Sequence, residues 1–295
     1  MPWLELRIDT DRDAAPRWEK ALLKAGALSV TLQDNADQPI FEPALGETPL
    51  WQATRVTGLF DSEVDTAKLE RQMQLPVDAF WQWQLLEDKD WEREWMKDFH
   101  PIPVAEHFWI CPSWITPPEP DAVNLLLDPG LAFGTGTHPT TFMCLEWLSR
   151  QTLAGRTCID YGCGSGILGI GALLLGATSV LGVDIDPQAL IATQDNAQRN
   201  GLLPEQFPVV FPKACPPTPV DVLLANILAG PLVELAPELT PRVKPGGLLC
   251  LSGILHSQAQ AVVDAYSAAF DFAPWCTRDE WVCLSATKRS PEIRN

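Results

Sequence analysis

The fold is decided by the stretch Asp160-Tyr161-Gly162-Cys163-Gly164-Ser165-Gly166. It follows a short β-type run, Arg156 to Ile159, and leads into an apolar run, Ile167 to Leu175, that is typical of a buried helix. Three glycines at every second position allow a sharp strand-to-helix turn and leave the backbone bare for a ligand. Asp184 ends the next β-type run. This order of strand, bare loop, helix, strand and acid predicts a nucleoside-binding crevice.

The glycine loop is compatible with two classes of nucleotide-type ligand. Gly164, Gly166 and Gly169 match the G-x-G-x-x-G pattern, and Asp184 lies 20 residues after Gly164, so an NAD-dependent oxidoreductase is one interpretation. However, Asp160 begins a pattern of an acid followed by three alternate glycines, which is typical of S-adenosylmethionine-dependent methyltransferases. We favour the methyltransferase. The oxidoreductase remains the alternative, although no hydride-transfer residue is evident, and a binding module without activity is a third class.

From about residue 122 the chain alternates β-type and α-type runs, which predicts a parallel sheet covered on both faces. We therefore predict a catalytic domain at 122–295 with the α/β, Rossmann-like fold of class I methyltransferases. Its seven-stranded, mostly parallel sheet is predicted to use strands at 157–161, 179–184, 207–211, 220–225, 247–252, 270–275 and 280–286.

Two polar residues end neighbouring strands of this predicted sheet. Asp184 is placed to accept the two hydroxyl groups of a ribose, because Asp186 with Pro187 fits the N-cap of the next helix better. Asn226 ends the strand that borders the crevice at the topological switch point, where its amide offers both a donor and an acceptor. The sequence around Asn226 is not the N-P-P-[YF] motif of adenine-amino and glutamine-amide methyltransferases, so those substrates are disfavoured.

A second glycine-rich block, residues 128–141, precedes a helix that begins near Pro139. It lacks the G-K-[ST] ending of a P-loop, which argues against nucleoside triphosphate binding. Its threonine hydroxyls and the free N–H groups of the helix suit the carboxylate of a bound amino acid. We expect His138 to cap this helix rather than bind a metal.

The N-terminal part has the element order β-α-β-β-α-β, which predicts a ferredoxin-like α+β domain at 1–90. Residues 91–121 are predicted as a linker that contains a short helix near 90–98 and a hairpin centred on Glu106-His107. Residues 1–127 carry a net charge of −12 against −5 for 128–295, which favours a basic partner for the N-terminal part.

The composition is that of a soluble globular protein, with 46% hydrophobic and 20% charged residues. No apolar run has the length of a membrane helix and no secretory signal is evident, so we expect a cytoplasmic protein. Eight scattered cysteines without a C-x-x-C pair predict buried free thiols and no metal site.

Several motifs together resemble the bacterial ribosomal protein L11 methyltransferase family. They are the 128–141 block, the loop at 160–166, Gly182 to Pro187, Ala225 to Pro231, Leu251 to Leu255, and Glu280-Trp281. The resemblance covers essentially the whole chain. It implies transfer of methyl groups from S-adenosyl-L-methionine to the N-terminal α-amine and lysine ε-amines of that ribosomal protein, with the N-terminal domain recognising the substrate.

The resemblance also implies functional residues. The family's cofactor contacts correspond to Thr141, Gly162, Asp184 and Asn226, and the bare backbone of the glycine loop adds Gly164. We expect in-line displacement in which Asn226 positions a neutral amine and water accepts its proton. We further expect a monomer that binds the basic ribosomal protein L11 but neither nucleic acid directly nor a membrane.

Overall fold

The computed structural model describes residues 2–38, 40, 49–75, 80–86, 99–128 and 136–290. Contacts within the chain divide it into two compact units, Met1–Lys97 and Asp98–Asn295. Residues 98–121, which the sequence predicts as part of a linker, fall inside the second unit. The predicted helix near 90–98 lies outside the described residues.

The first unit is a four-stranded antiparallel sheet with two helices. Its sheet order is β2-β3-β1-β4, so β1 is paired on both sides. The elements are β1 (Trp3–Asp11), α1 (Ala15–Lys24), β2 (Ser29–Asp34), β3 (Ala53–Asp61), α2 (Thr66–Met73) and β4 (Trp81–Leu86). The order β-α-β-β-α-β is the predicted one, and the name ferredoxin-like for this unit stays a prediction that rests on it.

The first helix begins later than the sequence predicts. The acidic residues at the start of the run 10–25 predict a helix that begins near Thr10. That start is wrong, because β1 continues to Asp11, whose carboxylate accepts the backbone N–H groups of Asp13 and Ala14 at 3.0 and 2.8 Å. The apolar side chains of the helices and of alternate strand positions form one core in this unit, which includes Leu6, Ile8, Trp18, Leu22, Val56, Phe60 and Leu69.

The second unit opens with a small three-stranded sheet. The predicted hairpin is present, with its turn at Glu106-His107. A third strand pairs parallel with the second strand of the hairpin. The strands are β5 (Ile102–Ala105), β6 (Phe108–Cys111) and β7 (Val123–Leu126).

The large sheet follows the order β10-β9-β8-β11-β12-β15-β13, and the short β14, which was not predicted, pairs with β15 as an eighth strand. Neighbours from β10 to β12 are parallel, whereas β13, β14 and β12 all pair antiparallel with β15. The strands are β8 (Thr157–Tyr161), β9 (Ser179–Val183), β10 (Val209–Val210), β11 (Val220–Asn226), β12 (Val243–Leu255), β13 (Phe270–Phe272), β14 (Cys276–Arg278) and β15 (Trp281–Lys288).

Both faces of the large sheet are covered. Successive side chains of a strand point to opposite faces, so two neighbouring buried residues show that both faces are packed. Leu223 and Leu224 are both fully buried, and they belong to two different apolar clusters. One cluster includes side chains of the first three helices of this unit and of the small sheet, and the other includes those of the last two helices. The helices of the unit are α3 (Pro139–Ser149), α4 (Ile167–Leu174), α5 (Pro187–Arg199), α6 (Ala229–Leu239) and α7 (Ala259–Tyr266).

Helix α4 is apolar on all sides and packs closely through its glycines. A Cβ atom added to Gly169 would lie 2.2 Å from the Phe207 ring, and one added to Gly171 would lie 2.8 Å from a Leu145 methyl group. This close packing holds the start of the helix, and the loop before it, against the sheet. Within the described ranges, the structure contains no helix of the length and apolarity that a membrane crossing requires.

Candidate active site

The predicted site residues meet at one edge of the large sheet. Strands β9, β8 and β11 are neighbours and run parallel, so their carboxyl ends open at the same edge. Gly162 and Gly164 directly follow β8, Asp184 follows β9, and Asn226 ends β11. The chain crosses between the two halves of the sheet at this point, which is where open α/β sheets form their ligand crevice.

The glycine loop has a backbone that other residues would adopt only with strain. Gly162, Gly164 and Gly166 have φ angles of +77°, +54° and +79°. The N–H of Gly162 donates to the carbonyl of Val183 at 2.7 Å, which fixes the loop to the end of β9. A Cβ atom on Gly162 would lie only 2.2 Å from Cγ2 of Ile227. Glycine is therefore required both by the backbone angle and by the available space.

Asp184 links the loop to the neighbouring strand. Its Oδ2 accepts the N–H of Gly164 at 2.9 Å, and its Oδ1 accepts the N–H of Asp186 at 3.0 Å. Each carboxylate oxygen has a second lone pair, so both oxygens can still accept a hydroxyl proton. The predicted cap is present at Asp186, whose side chain accepts the N–H of Gln188 at 2.9 Å at the start of α5. Asp184 is thus not needed as the helix cap.

Asp160 has a structural role, since its side chain is buried between the end of β8 and α4. It is 1% exposed, and its Oδ2 accepts the N–H of Gly169 at 2.9 Å, which ties the end of β8 to α4. Burial, and to a smaller extent the charge of Asp184, raises the pKa of Asp160 to about 7. In the sequence Asp160 is recognisable only as part of a pattern, and the structure gives its physical role.

Asn226 and Thr141 are in contact across the crevice. The side-chain amide of Asn226 donates to Oγ1 of Thr141 at 3.2 Å. Thr141 is fully buried in the first turn of α3, where His138 caps the helix as predicted. Within the described part of the chain, the Oδ1 atom of Asn226 is buried and has no hydrogen-bond partner. An acceptor left unpaired in this way is costly, so it points to a ligand that donates a hydrogen bond there.

Two residues of α5 that were not predicted as functional support the glycine loop from behind. Thr193 Oγ1 donates to the carbonyl of Gly164 at 3.0 Å, and Asn196 Nδ2 donates to the carbonyl of Ser165 at 2.8 Å. Both side chains are buried. Thr193 and Asn196 are three residues apart, so the sequence alone places them on one face of the helix. The sequence does not show that this face contacts the glycine loop.

The 128–141 block is only partly described. Residues 136–141 are described, whereas 129–135 lie outside the described residues. Gly136 has a φ of +84°, and a Cβ atom there would lie 2.5 Å from a methyl group of Ile110. The imidazole of His138 packs edge-on against the Trp281 ring, with 5.0 Å between centroids. Two of the segments that carried the family resemblance are thus in contact.

Comparisons with known proteins match almost the entire chain to one family. A family model described as Ribosomal protein L11 methyltransferase (PrmA) matches residues 2–289. The chain belongs to the ribosomal protein L11 methyltransferase family. Curated relatives of that name from Teredinibacter turnerae and Saccharophagus degradans are 62% and 60% identical to it, covering 98% of this chain and 98% and 100% of their own lengths.

A solved structure agrees with the fold. The crystal structure of ribosomal protein L11 methylase from Lactobacillus delbrueckii subsp. bulgaricus is 32% identical and has a TM-score of 0.58. The match covers 65% of this chain and 100% of that one. The predicted class I methyltransferase fold is thereby confirmed, and the chain is an S-adenosylmethionine-dependent methyltransferase. The alternative of an NAD-dependent oxidoreductase finds no support.

The geometry of the site fits this cofactor. The loop at 162–166 has glycine at every second position and its two side chains, Cys163 and Ser165, are buried. The carboxylate of Asp184 lies beside the loop, and the unpaired acceptor of Asn226 lies at the neighbouring strand end. These are the features that a nucleoside with an attached amino acid requires of a crevice.

Proposed function

We propose that this chain transfers methyl groups from S-adenosylmethionine to the N-terminal α-amine and the lysine ε-amines of ribosomal protein L11. The observation that carries the proposal is the unpaired, buried Oδ1 atom of Asn226 at the switch point of a methyltransferase sheet. A protein amine is a donor that this acceptor can bind. The names of the relatives supply the identity of the acceptor protein.

Four residues are proposed to hold the cofactor in addition to Asn226. Gly162 and Gly164 leave the backbone open to it, Asp184 accepts its ribose hydroxyls, and Thr141 lies at the start of α3, where helix N–H groups favour a carboxylate. When bound, S-adenosylmethionine supplies a methyl group on a sulfonium, which is an excellent leaving group. The protein therefore has mainly to position and desolvate the reactants.

The attacking amine has to be neutral. A free lysine has a pKa near 10.4, so deprotonation at pH 7 costs about 4–5 kcal/mol. Burial of the amine beside the sheet edge lowers that cost, because burial disfavours the ammonium form. Asn226 Oδ1 accepts one N–H of the amine and thereby directs the nitrogen lone pair, while water accepts the released proton.

Asp160 is not assigned the role of base. Its pKa of about 7 would suit proton transfer, but the carboxyl group is 1% exposed and faces the N–H of Gly169 in the core. We assign it to holding the loop instead. The role of Asn226 is that of a group that touches the substrate and orients it.

The first unit is proposed to select the acceptor protein. With the observed boundary, residues 1–97 carry 11 basic and 19 acidic side chains, a net charge of −8. Residues 98–295 carry 10 and 19, a net charge of −9 over twice the length. The higher charge density of the first unit favours a basic ribosomal protein and repels bare nucleic acid and anionic membranes. A monomeric, cytoplasmic enzyme remains our expectation.

Calorimetry and mass spectrometry together test the proposal. The full chain is titrated with S-adenosylmethionine and with NAD, and purified L11 is then incubated with the chain and the methyl donor. We expect binding of S-adenosylmethionine alone and an increase in the intact mass of L11 by whole methyl groups. Binding of NAD would contradict the cofactor assignment, whereas cofactor binding with unchanged L11 would contradict only the acceptor.

A further inference from the structure

Three buried cysteine sulfurs meet in the core of the second unit, and none of the three cysteines is among the residues assigned to catalysis or to the cofactor. Cys144 lies in α3, Cys250 in β12 and Cys283 in β15. Sγ of Cys250 is 3.9 Å from that of Cys144 and 3.5 Å from that of Cys283, and all three sulfurs lie within 4.8 Å of one another. None of the three residues is more than 3% exposed. They form a set of three soft ligands from three different elements.

The spacing of the sulfurs suits one central atom bonded to all three. An atom bonded to three sulfurs at about 2.3 Å holds them about 4.0 Å apart when it lies in their plane, and about 3.5 Å apart when it carries a lone pair and its bond angles are about 100°. The separations of 3.5 and 3.9 Å lie within this range, so little movement is needed. A disulfide would require Cys250 and Cys283 to approach to about 2.05 Å and would leave Cys144 unused.

The net charge of the three thiolates with their bound ion distinguishes the ions that this site could hold. The three cysteines belong to an apolar cluster with side chains such as Leu148 and Leu224. Three thiolates around Zn²⁺ leave one negative charge, and three around Cu⁺ leave two, which is costly in an apolar interior. Zn²⁺ also prefers four ligands, one more than the three sulfurs supply. A trivalent ion with three thiolates is neutral.

We infer that Cys144, Cys250 and Cys283 form a binding site for trivalent arsenic, which enters as neutral arsenous acid, As(OH)₃. Each of three steps breaks one As–O bond and forms one As–S bond, and the thiol proton leaves with the hydroxide as water. Three water molecules are released and no electron is transferred. The product is a neutral arsenic tris-thiolate in the apolar core.

Because the sulfurs are buried, arsenous acid can reach them only when the core opens locally, so we expect slow binding.

Occupancy of the site would tie α3 to two strands of the sheet. Cys144 lies one turn after Thr141 in α3, and Cys250 lies two residues before Ser252, which pairs with Asn226 of β11. The folded chain brings together the three sulfurs, which are far apart in sequence, and a ligand that binds the folded state in preference to the unfolded one stabilises it. We therefore expect arsenic to raise the thermal unfolding midpoint.

The experiment uses the full chain with sodium arsenite, without thiol reductants and without oxygen. Native mass spectrometry is expected to show one tightly bound arsenic per chain, and X-ray absorption to show three sulfur neighbours at about 2.3 Å. Cys250→Ala should weaken the binding by roughly 100-fold or more, because a tethered third ligand acts at a high effective concentration. Cys276→Ala, which removes an exposed cysteine, is the matched control and should bind as the unsubstituted chain does.

Three results would overturn the inference: no arsenic bound to the unsubstituted chain, only two sulfur neighbours around the arsenic, or unchanged affinity after Cys250→Ala. Cys283→Ala provides a second variant if Cys250→Ala does not fold. The X-ray absorption measurement needs no variant, so the inference stays testable in either case.

Discussion

The side-chain amide of Asn226 donates a hydrogen bond to Oγ1 of Thr141 at 3.2 Å, although 85 residues separate the two in sequence. The contact joins the end of β11 to the first turn of α3. It uses the donor of the amide and leaves its buried acceptor, Oδ1, for a ligand. The proposed positioning of the attacking amine by Asn226 therefore depends on the orientation of this amide.

Replacement of Asn226 by alanine should reduce turnover strongly. A hydrogen bond to a reacting group that becomes charged contributes about 1.5–3 kcal/mol, which corresponds to a roughly 10- to 100-fold loss of kcat. The measurement is methyl transfer to L11 at saturating S-adenosylmethionine. Asn200→Ala is the control, because that amide bonds backbone groups of Leu126 and Asn196 and should affect stability rather than turnover. Wild-type turnover of Asn226→Ala would refute the positioning role.

Replacement of Gly162 by alanine should abolish or severely weaken cofactor binding. The new Cβ atom would lie 2.2 Å from Ile227 at a φ of +77°, so the loop must move. Gly155→Ala has nearly the same backbone strain, with a φ of +78°, but has no atom within 4 Å of the new Cβ. Calorimetric titration of both variants with S-adenosylmethionine separates crowding from backbone strain. Equal affinities for the two variants would mean that crowding at Gly162 is unimportant.

Asp184 and its neighbour Asp186 should respond differently to alanine substitution. Loss of the two ribose hydrogen bonds in Asp184→Ala should weaken cofactor binding by roughly 100-fold or more, since each hydrogen bond to a charged group contributes about 1.5–3 kcal/mol. Asp186→Ala removes the cap of α5 and should lower the free energy of unfolding by about 1 kcal/mol while largely preserving cofactor affinity. Weaker cofactor binding by Asp186→Ala, with unchanged binding by Asp184→Ala, would contradict both assignments.

Asp160 should make stability depend on pH between 5 and 8. Its pKa rises from 3.8 to about 7 on folding, so the folded state binds the proton more tightly. The stability it contributes is fully present below pH 3.8 and is lost as the pH rises through 7. Between pH 5 and pH 8 the free energy of unfolding should fall by about 2–3 kcal/mol from this group alone. Urea unfolding of the chain and of Asp160→Asn measures the difference, and identical pH profiles would contradict the buried acid.

Much of the sheet and the site could be predicted because local sequence determines them. The boundaries of β8 follow from an apolar strand and a glycine turn, and the cap at Asp186 follows from its place before Pro187. Pairing overrides such signals elsewhere. The residues Pro245-Gly246-Gly247 predict a turn before the strand expected at 247–252. That turn is wrong, because β12 begins at Val243, which pairs with Val220 before the register shifts.

Features that depend on tertiary contact were not predictable. The support of the glycine loop by Thr193 and Asn196 requires knowledge of where α5 packs. The burial of the cysteine sulfurs was predicted, and seven of the eight cysteines are indeed buried. That Cys144, Cys250 and Cys283 meet could not be inferred, because they lie on a helix and on two strands that are far apart in sequence.

The most direct test of the central claim is transfer of an isotope-labelled methyl group from S-adenosylmethionine to a mixture of all large-subunit ribosomal proteins. Tandem mass spectrometry then locates the label. We predict label on the α-amine and lysine ε-amines of L11, and much less label in a parallel reaction with Asn226→Ala at the same enzyme concentration and time. Label on another protein in preference to L11, or no label on any protein while the chain binds S-adenosylmethionine, would contradict this assignment.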